Sequence, residues 1–268
     1  MKEIDLEELK RLQLEILIKI HNFCEANGIS YFLGYGTLIG AIRHKGYIPW
    51  DDDIDIGMPR PSYDKFLKLF NGTYPNLEVL APEINWDFYA PYANVFDNRT
   101  LLEEGDNSHR GINIGVKIDI FPIDGVPSWR MIYRLERVLT RGLNKILEIK
   151  RYKVSNDNSF ANVVKQVVLK GIVFPFRYSY IQKLISSIAL SCSFRKSLYA
   201  DKITFLNKGQ TRVNRTDFEE YIDIEFEGYI FKTIKNYDTY LKKIYGDYMV
   251  LPPKEKRIPM HNFEAWWK

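Results

Sequence analysis

The sequence predicts an α+β fold: a mixed sheet core with flanking helices and a mostly helical basic insert. Three observations carry this. Two segments, DIDIGM at 53–58 and GVKIDIF at 115–121, alternate charged with aliphatic residues as half-buried strands do. Other stretches repeat apolar residues at helical spacing. Charge is also unevenly placed. Residues 128–215 hold 18 Lys/Arg against 4 Asp/Glu, a net of +14, whereas the remainder holds 20 against 30, a net of −10. These features divide the chain into a core of 1–127 plus 216–268 and an insert of 128–215.

The elements follow in order. Residues 5–27 are a helix, with Leu9, Leu12, Ile16, Ile20 and Phe23 at helical spacing and Asn27-Gly28 as the stop. Ile29 to Tyr35 is a short aromatic strand, and Gly36-Thr37 opens a second helix that runs to about His44. The strand at 53–58 precedes a helix from Pro61 to Phe70. The strand at 115–121 is closed by Pro122. Residues 129–150 are helical, with Arg130, Arg134, Arg137 and Arg141 on one face. Residues 160–200 are helical with a break around Pro175. Residues 221–234 alternate strongly and form a hairpin turning at Glu227-Gly228, 237–246 is a short helix, and the tail after Pro252-Pro253 is irregular.

Composition narrows the class. The chain has 268 residues, 46% hydrophobic and 27% charged, and a formal net charge of +4. That is ordinary globular composition, long enough to bury a core without covalent staples. Two cysteines, Cys24 and Cys192, cannot form a disulfide framework or a four-cysteine zinc site and read as buried thiols in a reducing compartment. No apolar run approaches the ~20 residues of a spanning helix, and the N-terminus lacks the apolar region of a signal peptide. A cytoplasmic protein is the expectation.

The chemistry concentrates in the carboxylates. Asp51, Asp52, Asp53 and Asp55 fall within five positions. In a strand, Asp53 and Asp55 project from one face while Ile54 and Ile56 enter a core. Carboxylates held so close repel, and a divalent cation relieves the repulsion. Asp119, in Ile118-Asp119-Ile120, has the same aliphatic–acid–aliphatic setting and is the candidate third ligand. The bland alternative is a solvated acidic turn after Pro49-Trp50. Asp223, Glu225 and Glu227, alternating along the hairpin, are rival third acids. Gly36-Thr37, at a strand-to-helix turn, suits a phosphate: glycine allows close backbone approach, and the helix start offers N–H groups and a hydroxyl. Arg43 and Lys45, near that helix's end, are candidates to counter diphosphate charge, or simply bases favoured at a helix C-terminus.

The stretch from Tyr31 to Phe66, YFLGYGTLIGAIRHKGYIPWDDDIDIGMPRPSYDKF, closely resembles the signature block of the LicD family, phosphotransferases that attach phosphocholine or related groups to surface glycans. The likeness continues in FDNRT (96–100), KIDIFPIDGVP (117–127), the EFEG of the hairpin (225–228) and YLKKIYGDYM…P (240–252), and is weak over 128–215. The family is similar to the nucleotidyltransferase-fold superfamily, whose pattern is Gly-Ser or Gly-Gly, then Asp-x-Asp, then one further acid on a later strand. Gly36-Thr37, Asp53/Asp55 and Asp119 match it, with Thr37 replacing the usual Ser or Gly. The resemblance implies a nucleotidyltransferase-like core and a CDP-linked donor such as CDP-choline. It further implies Mg²⁺ (Mn²⁺ as an alternative) on Asp53, Asp55 and Asp119, a glycan or lipid-linked glycan hydroxyl as acceptor, and CMP as product. Asp119 is then a metal ligand or the base for the acceptor hydroxyl, with Asp51 and Asp52 behind.

The basic segment leaves other classes open. Its interleaved Tyr and Phe could meet nucleic acid, although it has no recognisable RNA-binding motif and its bases are spread through apolar helices. Anionic lipid or a lipid-linked diphosphate explains the same charge. The arginine face of 129–150 is therefore expected toward the inner face of the plasma membrane, as a peripheral contact, unless acids of the core neutralise it.

Overall fold

A computed structural model describes residues 1–104, 114–151, 160–205, 212–258 and 263–268. Strand β1 (Lys2–Ile4) leads into helix α1 (Leu6–Asn27). Asp5 caps its start by accepting from the Glu8 N–H at 2.8 Å, and Gly28 closes it at φ 58°. Then come β2 (Phe32–Leu33), α2 (Tyr35–His44), β3 (Asp55–Pro59), α3 (Arg60–Phe70), β4 (Leu77–Leu80), β5 (Ala93–Asp97), β6 (Thr100–Glu104) and β7 (Lys117–Val126). Three helices follow: α4 (Arg130–Arg151), α5 (Phe160–Val173) and α6 (Tyr178–Ala189). The chain ends with β8 (Tyr199–Asp201), β9 (Val213–Asn214), the hairpin β10 (Tyr221–Phe226) and β11 (Tyr229–Ile234), α7 (Tyr237–Tyr245) and β12 (Phe263–Trp267).

The main sheet is mixed, in the order β2-β3-β7-β5-β4, with β8 and β9 continuing from the far half of β7. β3 runs parallel to β7; the remaining pairs are antiparallel. All ten residues of β7 are buried, which marks it as the strand covered on both faces. Helices α1, α2 and α3 supply Leu17, Ile20, Leu38, Phe66 and Phe70 to the same apolar core as Ile54, Ile56, Ile118 and Ile120. A second cluster joins Leu147 of α4 and Tyr178, Ile181 and Ile185 of α6 to Phe88, Tyr89 and Ala90.

Several sequence expectations need correction. The strand expected over 29–35 is only two residues long, because the backbone turns at Tyr35 (φ 50°) straight into α2. The strand expected at 53–58 begins at Asp55, so Asp53 lies in the segment leading into it. Pro122 does not end β7. The Asp119 N–H donates to the Ile54 carbonyl, so N–H groups at even positions point away from β3. Pro122 falls there between Ile120, paired with β5, and Asp124, paired with β8, where no antiparallel neighbour needs its missing donor. The C-terminal tail is not irregular throughout: β12 pairs with both β1 and β6. Glu227 and Gly228 do form the hairpin turn, both at positive φ (51° and 75°), the signature of a two-residue type I′ loop. Among the described residues, the segment 128–215 is helical in α4, α5 and α6, so the helix expected over 160–200 ends at Ala189 and the chain returns to the main sheet as β8 and β9.

The arginine face of α4 also changes. Arg137 turns inward, its Nη1 2.8 Å from Asp201 and 3.2 Å from the Tyr133 hydroxyl, and the buried stripe is Tyr133, Arg137, Thr140 and Leu147. Arg130, Arg134 and Arg141 remain on the exposed side.

Candidate active site

Parallel pairing of β3 with β7 sets Asp55 directly beside Asp119. In a parallel ladder such partners share a face, so the two carboxylates are neighbours by register. Antiparallel β5 extends the row: Asn94 lies opposite Asp119 and donates to its Oδ1 at 2.5 Å. Lys117, two residues earlier on the same face, donates to that oxygen at 2.8 Å. Both contacts fall on Oδ1, so they fix the rotation of the Asp119 carboxylate. The Tyr89 hydroxyl in turn donates to Asn94 Oδ1 at 2.9 Å.

The other acids come from the segment entering β3. Asp51, Asp52 and Asp53 each offer a carboxylate oxygen, and these lie within 4.8 Å of one another. The segment is anchored from behind. Gln13 of α1 donates to the Asp52 carbonyl at 3.0 Å, and the Tyr47 hydroxyl donates to Gln13 at 3.1 Å. Burial, reinforced by Asp55, Asp51 and Asp119, pushes the Asp53 carboxyl well above its ordinary range. Burial, with Asp119 next, raises Asp55 to about 7 even though Lys202 and Lys117 oppose the shift.

The α2 start faces this cluster. A Cβ on Gly36 would lie 2.7 Å from Asp51 Oδ2, so only glycine fits there without displacing the carboxylate. Tyr35, a non-glycine residue in the left-handed region, carries local strain of about 1 kcal/mol that turns the chain from β2 into α2. Thr37 is buried, and its Oγ1 accepts the Asp55 N–H at 2.8 Å, which fixes the start of β3 against α2. Arg43 lies two turns away, about 10 Å along the axis from Gly36, and Lys45, the residue that closes the helix, about 13 Å. Arg43 donates to the Tyr248 carbonyl at 2.8 Å, and burial, aided by Arg257, lowers its pKa. Lys45 is exposed, and its carbonyl accepts the Glu227 N–H at 2.8 Å. Of the rival hairpin acids, Asp223 pairs with Lys232 at 2.7 Å, Glu225 is exposed, and Glu227 accepts the Tyr47 N–H at 2.9 Å.

Sequence reasoning missed Lys202. This residue follows β8, is buried, and lies 3.8 Å from the centre of the Tyr35 ring and 3.9 Å from that of Phe121. Burial lowers its pKa to about 8, against the pull of Asp55, Asp201 and Asp119. It brings a cation to the acids from the segment expected as an insert. No local pattern points to it. Lys117 was missed as well, although its two-residue spacing to Asp119 puts both on one strand face.

The arrangement is an oxygen-rich, over-charged cluster beside a helix start and two lysines, suited to binding a divalent cation with a phosphorylated substrate. Residues 28–127 match the family described as LicD/FKTN/FKRP, nucleotidyltransferase domain. The lipopolysaccharide cholinephosphotransferase LicD of Haemophilus influenzae is 34% identical over 99% of both chains. Human ribitol 5-phosphate transferase FKRP is 53% identical over 34 residues, 13% of this chain and 7% of that protein. An uncharacterised protein of Rickettsia typhi is 46% identical over 59 residues, 22% of this chain and 19% of its own. The relatives define a transferase. The chain belongs to the LicD family.

Proposed function

We propose that this protein transfers a phospho-head group, phosphocholine or a close analogue, from a CDP-linked donor to a hydroxyl of a surface glycan or its lipid-linked precursor. The observation that carries the reading is the side-by-side register of Asp55 and Asp119 next to Asp51–Asp53, in front of Gly36. The central strands are read as a nucleotidyltransferase-like core on the same grounds. The relative acting on lipopolysaccharide and the one transferring ribitol 5-phosphate support transfer of a substituted phosphate to a glycan.

The residues fit a hard divalent cation. All donors are carboxylates, and burial with mutual repulsion raises Asp53 and Asp55, as expected of a site built to carry more negative charge than it tolerates alone. Asp53, Asp55 and Asp119 would hold Mg²⁺, or Mn²⁺ in its place, with Asp51 adjacent. When bound, the cation neutralises charge on the reacting phosphoryl group. The protein's own groups do the rest. Gly36 lets the diphosphate approach the α2 start, and Lys202 and Lys117 add fixed positive charge beside it. The acceptor oxygen forms a bond to the distal phosphorus as the bond to CMP breaks, and CMP leaves with the electron pair. The hydroxyl proton passes to a carboxylate; Asp119 either takes that proton or joins Asp53 and Asp55 as a ligand.

The test is CMP release from CDP-choline, CDP-ethanolamine, CDP-glycerol and CDP-ribitol with a glycan acceptor, with and without Mg²⁺. Metal-dependent CMP release with at least one donor is the expected result. Retention of RNA on a filter at physiological salt, with no CMP from any donor, would replace the proposal with a nucleic-acid role.

A further inference from the structure

Helix α4 buries one stripe, Tyr133, Arg137, Thr140 and Leu147, and turns a different apolar stripe to solvent. Met131, Leu135 and Val138 recur at spacings of four and three, so they line one side, and they are 65%, 57% and 65% exposed. Leu139 (49%) widens that side, and Trp129 (69%) precedes it. A helix that buries one face normally carries polar residues opposite. Here the opposite side is apolar, and Arg130, Arg134 and Arg141 run along the border between the two faces. The helix has only two acids. Glu136 accepts from the Ser191 hydroxyl at 2.8 Å and is half-buried, and Glu148 pairs with Lys145 at 2.9 Å.

We infer that this face of α4 docks the protein on an anionic lipid surface. Apolar side chains would enter the headgroup boundary while the bordering guanidinium groups reach lipid phosphates. Charge selects this occupant. The segment 128–215 has a net charge of +14 against −10 for the rest, and Arg130, Arg134 and Arg141 are exposed beside the apolar stripe, so this face of α4 complements an anionic plane. At the other end of the helix, a cavity of about 540 Å³ repeats the pairing of bases with apolar rings. Lys150, Lys170 and Arg177 line it together with Phe174, which is 81% exposed. Among the described residues no helix is long and apolar enough to cross a membrane, so the contact is peripheral. The inference does not depend on the chemistry proposed for the acids. It supplies the plane on which a lipid-linked acceptor would be met.

The test uses the full chain and vesicles of phosphatidylcholine with or without phosphatidylglycerol. Wild type is expected to co-sediment with the anionic vesicles at low salt, less so as salt rises, and weakly with neutral ones. Tryptophan emission should shift to the blue on binding, and Trp129→Phe should lose most of that shift. Met131→Ser with Leu135→Ser and Val138→Ser should weaken partition at least about tenfold at every salt concentration. Arg130→Gln with Arg134→Gln and Arg141→Gln should lose roughly fivefold per base at low salt and flatten the salt dependence. All these positions are exposed, so unchanged melting temperatures certify the variants. The inference is overturned if wild type ignores phosphatidylglycerol vesicles at low salt, or binds neutral and anionic vesicles equally. It is also overturned if the triple serine variant binds as wild type does, or if that variant only converts a dimer to a monomer, which would assign the face to self-association.

Discussion

Asp55→Asn should make the metal-free protein more stable while abolishing transfer. Burial, then Asp119, hold the Asp55 proton up to about 7, whereas the same side chain in the unfolded chain loses it near 3.8. The folded pKa is raised, so this group's contribution is fully present below 3.8 and is lost as pH climbs through 7. Between those values each pH step costs about 1.4 kcal/mol, so the ceiling is about 4 kcal/mol of lost stability at neutral pH. Lys202 and Lys117 already offset part of the repulsion. Asparagine mimics the protonated carboxyl and removes the penalty. In EDTA near pH 8 the variant should melt about 5 to 10 °C above wild type, since about 1 kcal/mol corresponds to about 2–4 °C in a chain this long. Near pH 5 the gap should shrink to less than half. Millimolar Mg²⁺ should raise the wild-type transition and leave the variant nearly unmoved. Thermal melts at two pH values, with and without Mg²⁺, decide it. A variant that melts below wild type near pH 8 in EDTA, or a gap that widens toward pH 5, would refute the argument.

Other outcomes follow from single contacts. Gly36→Val should leave the helix folded but weaken CDP-donor binding at least about tenfold by calorimetry, because its Cβ alone would displace Asp51. Thr37→Val leaves the Asp55 N–H without its acceptor, costing about 1–3 kcal/mol and lowering kcat, whereas Thr37→Ser should retain both. Arg137→Met takes the guanidinium from the buried Asp201, which keeps the Tyr133 hydroxyl and the Lys202 N–H, and should cost about 2–3 kcal/mol in urea unfolding, while Arg134→Met on the exposed side should stay within about 0.5 kcal/mol. Lys202→Gln removes the cation facing Asp55 and should raise the KM for the CDP donor more than it lowers kcat.

The elements legible in the sequence are those whose pattern is local. Helix α1 announced itself by spacing and by Asn27-Gly28, and the hairpin by strict alternation around Glu227-Gly228. The Ile-Asp-Ile repeat marked both strands that carry the acids, and their pairing makes Asp55 and Asp119 neighbours. What stayed hidden depends on partners far along the chain. β5 is buried on both faces and shows no alternation, so Asn94 had no signal. β12 is a strand because β1 and β6 flank it, and nothing in Phe263–Trp267 records that. Arg137 shares helical spacing with three exposed arginines, yet Asp201 lies 64 positions away and pulls it inward. Lys202 reaches the acids through the pairing of β8 with β7, which only the folded sheet reveals.

That pairing has a consequence for how such a chain can change. Val126 and Tyr199 are partners in register, so the 72 residues between them begin and end at one doorway in the sheet, with Cys192 bridging back to Gly125 beside it. Lengthening or exchanging a loop whose ends are already pinned costs little closure entropy. The helices grip the rest at two patches: Tyr178 and Gln182 donate to the carbonyls of Tyr89, Phe88 and Ala90, and Tyr133 and Arg137 donate to Asp201 at the end of β8. A different cassette of helices grafted between Val126 and Tyr199 must therefore cover the first patch and partner Asp201 at the second. The acids in front of Gly36 would keep their register, and the part of the molecule that chooses where to work could diversify independently of the part that does the work.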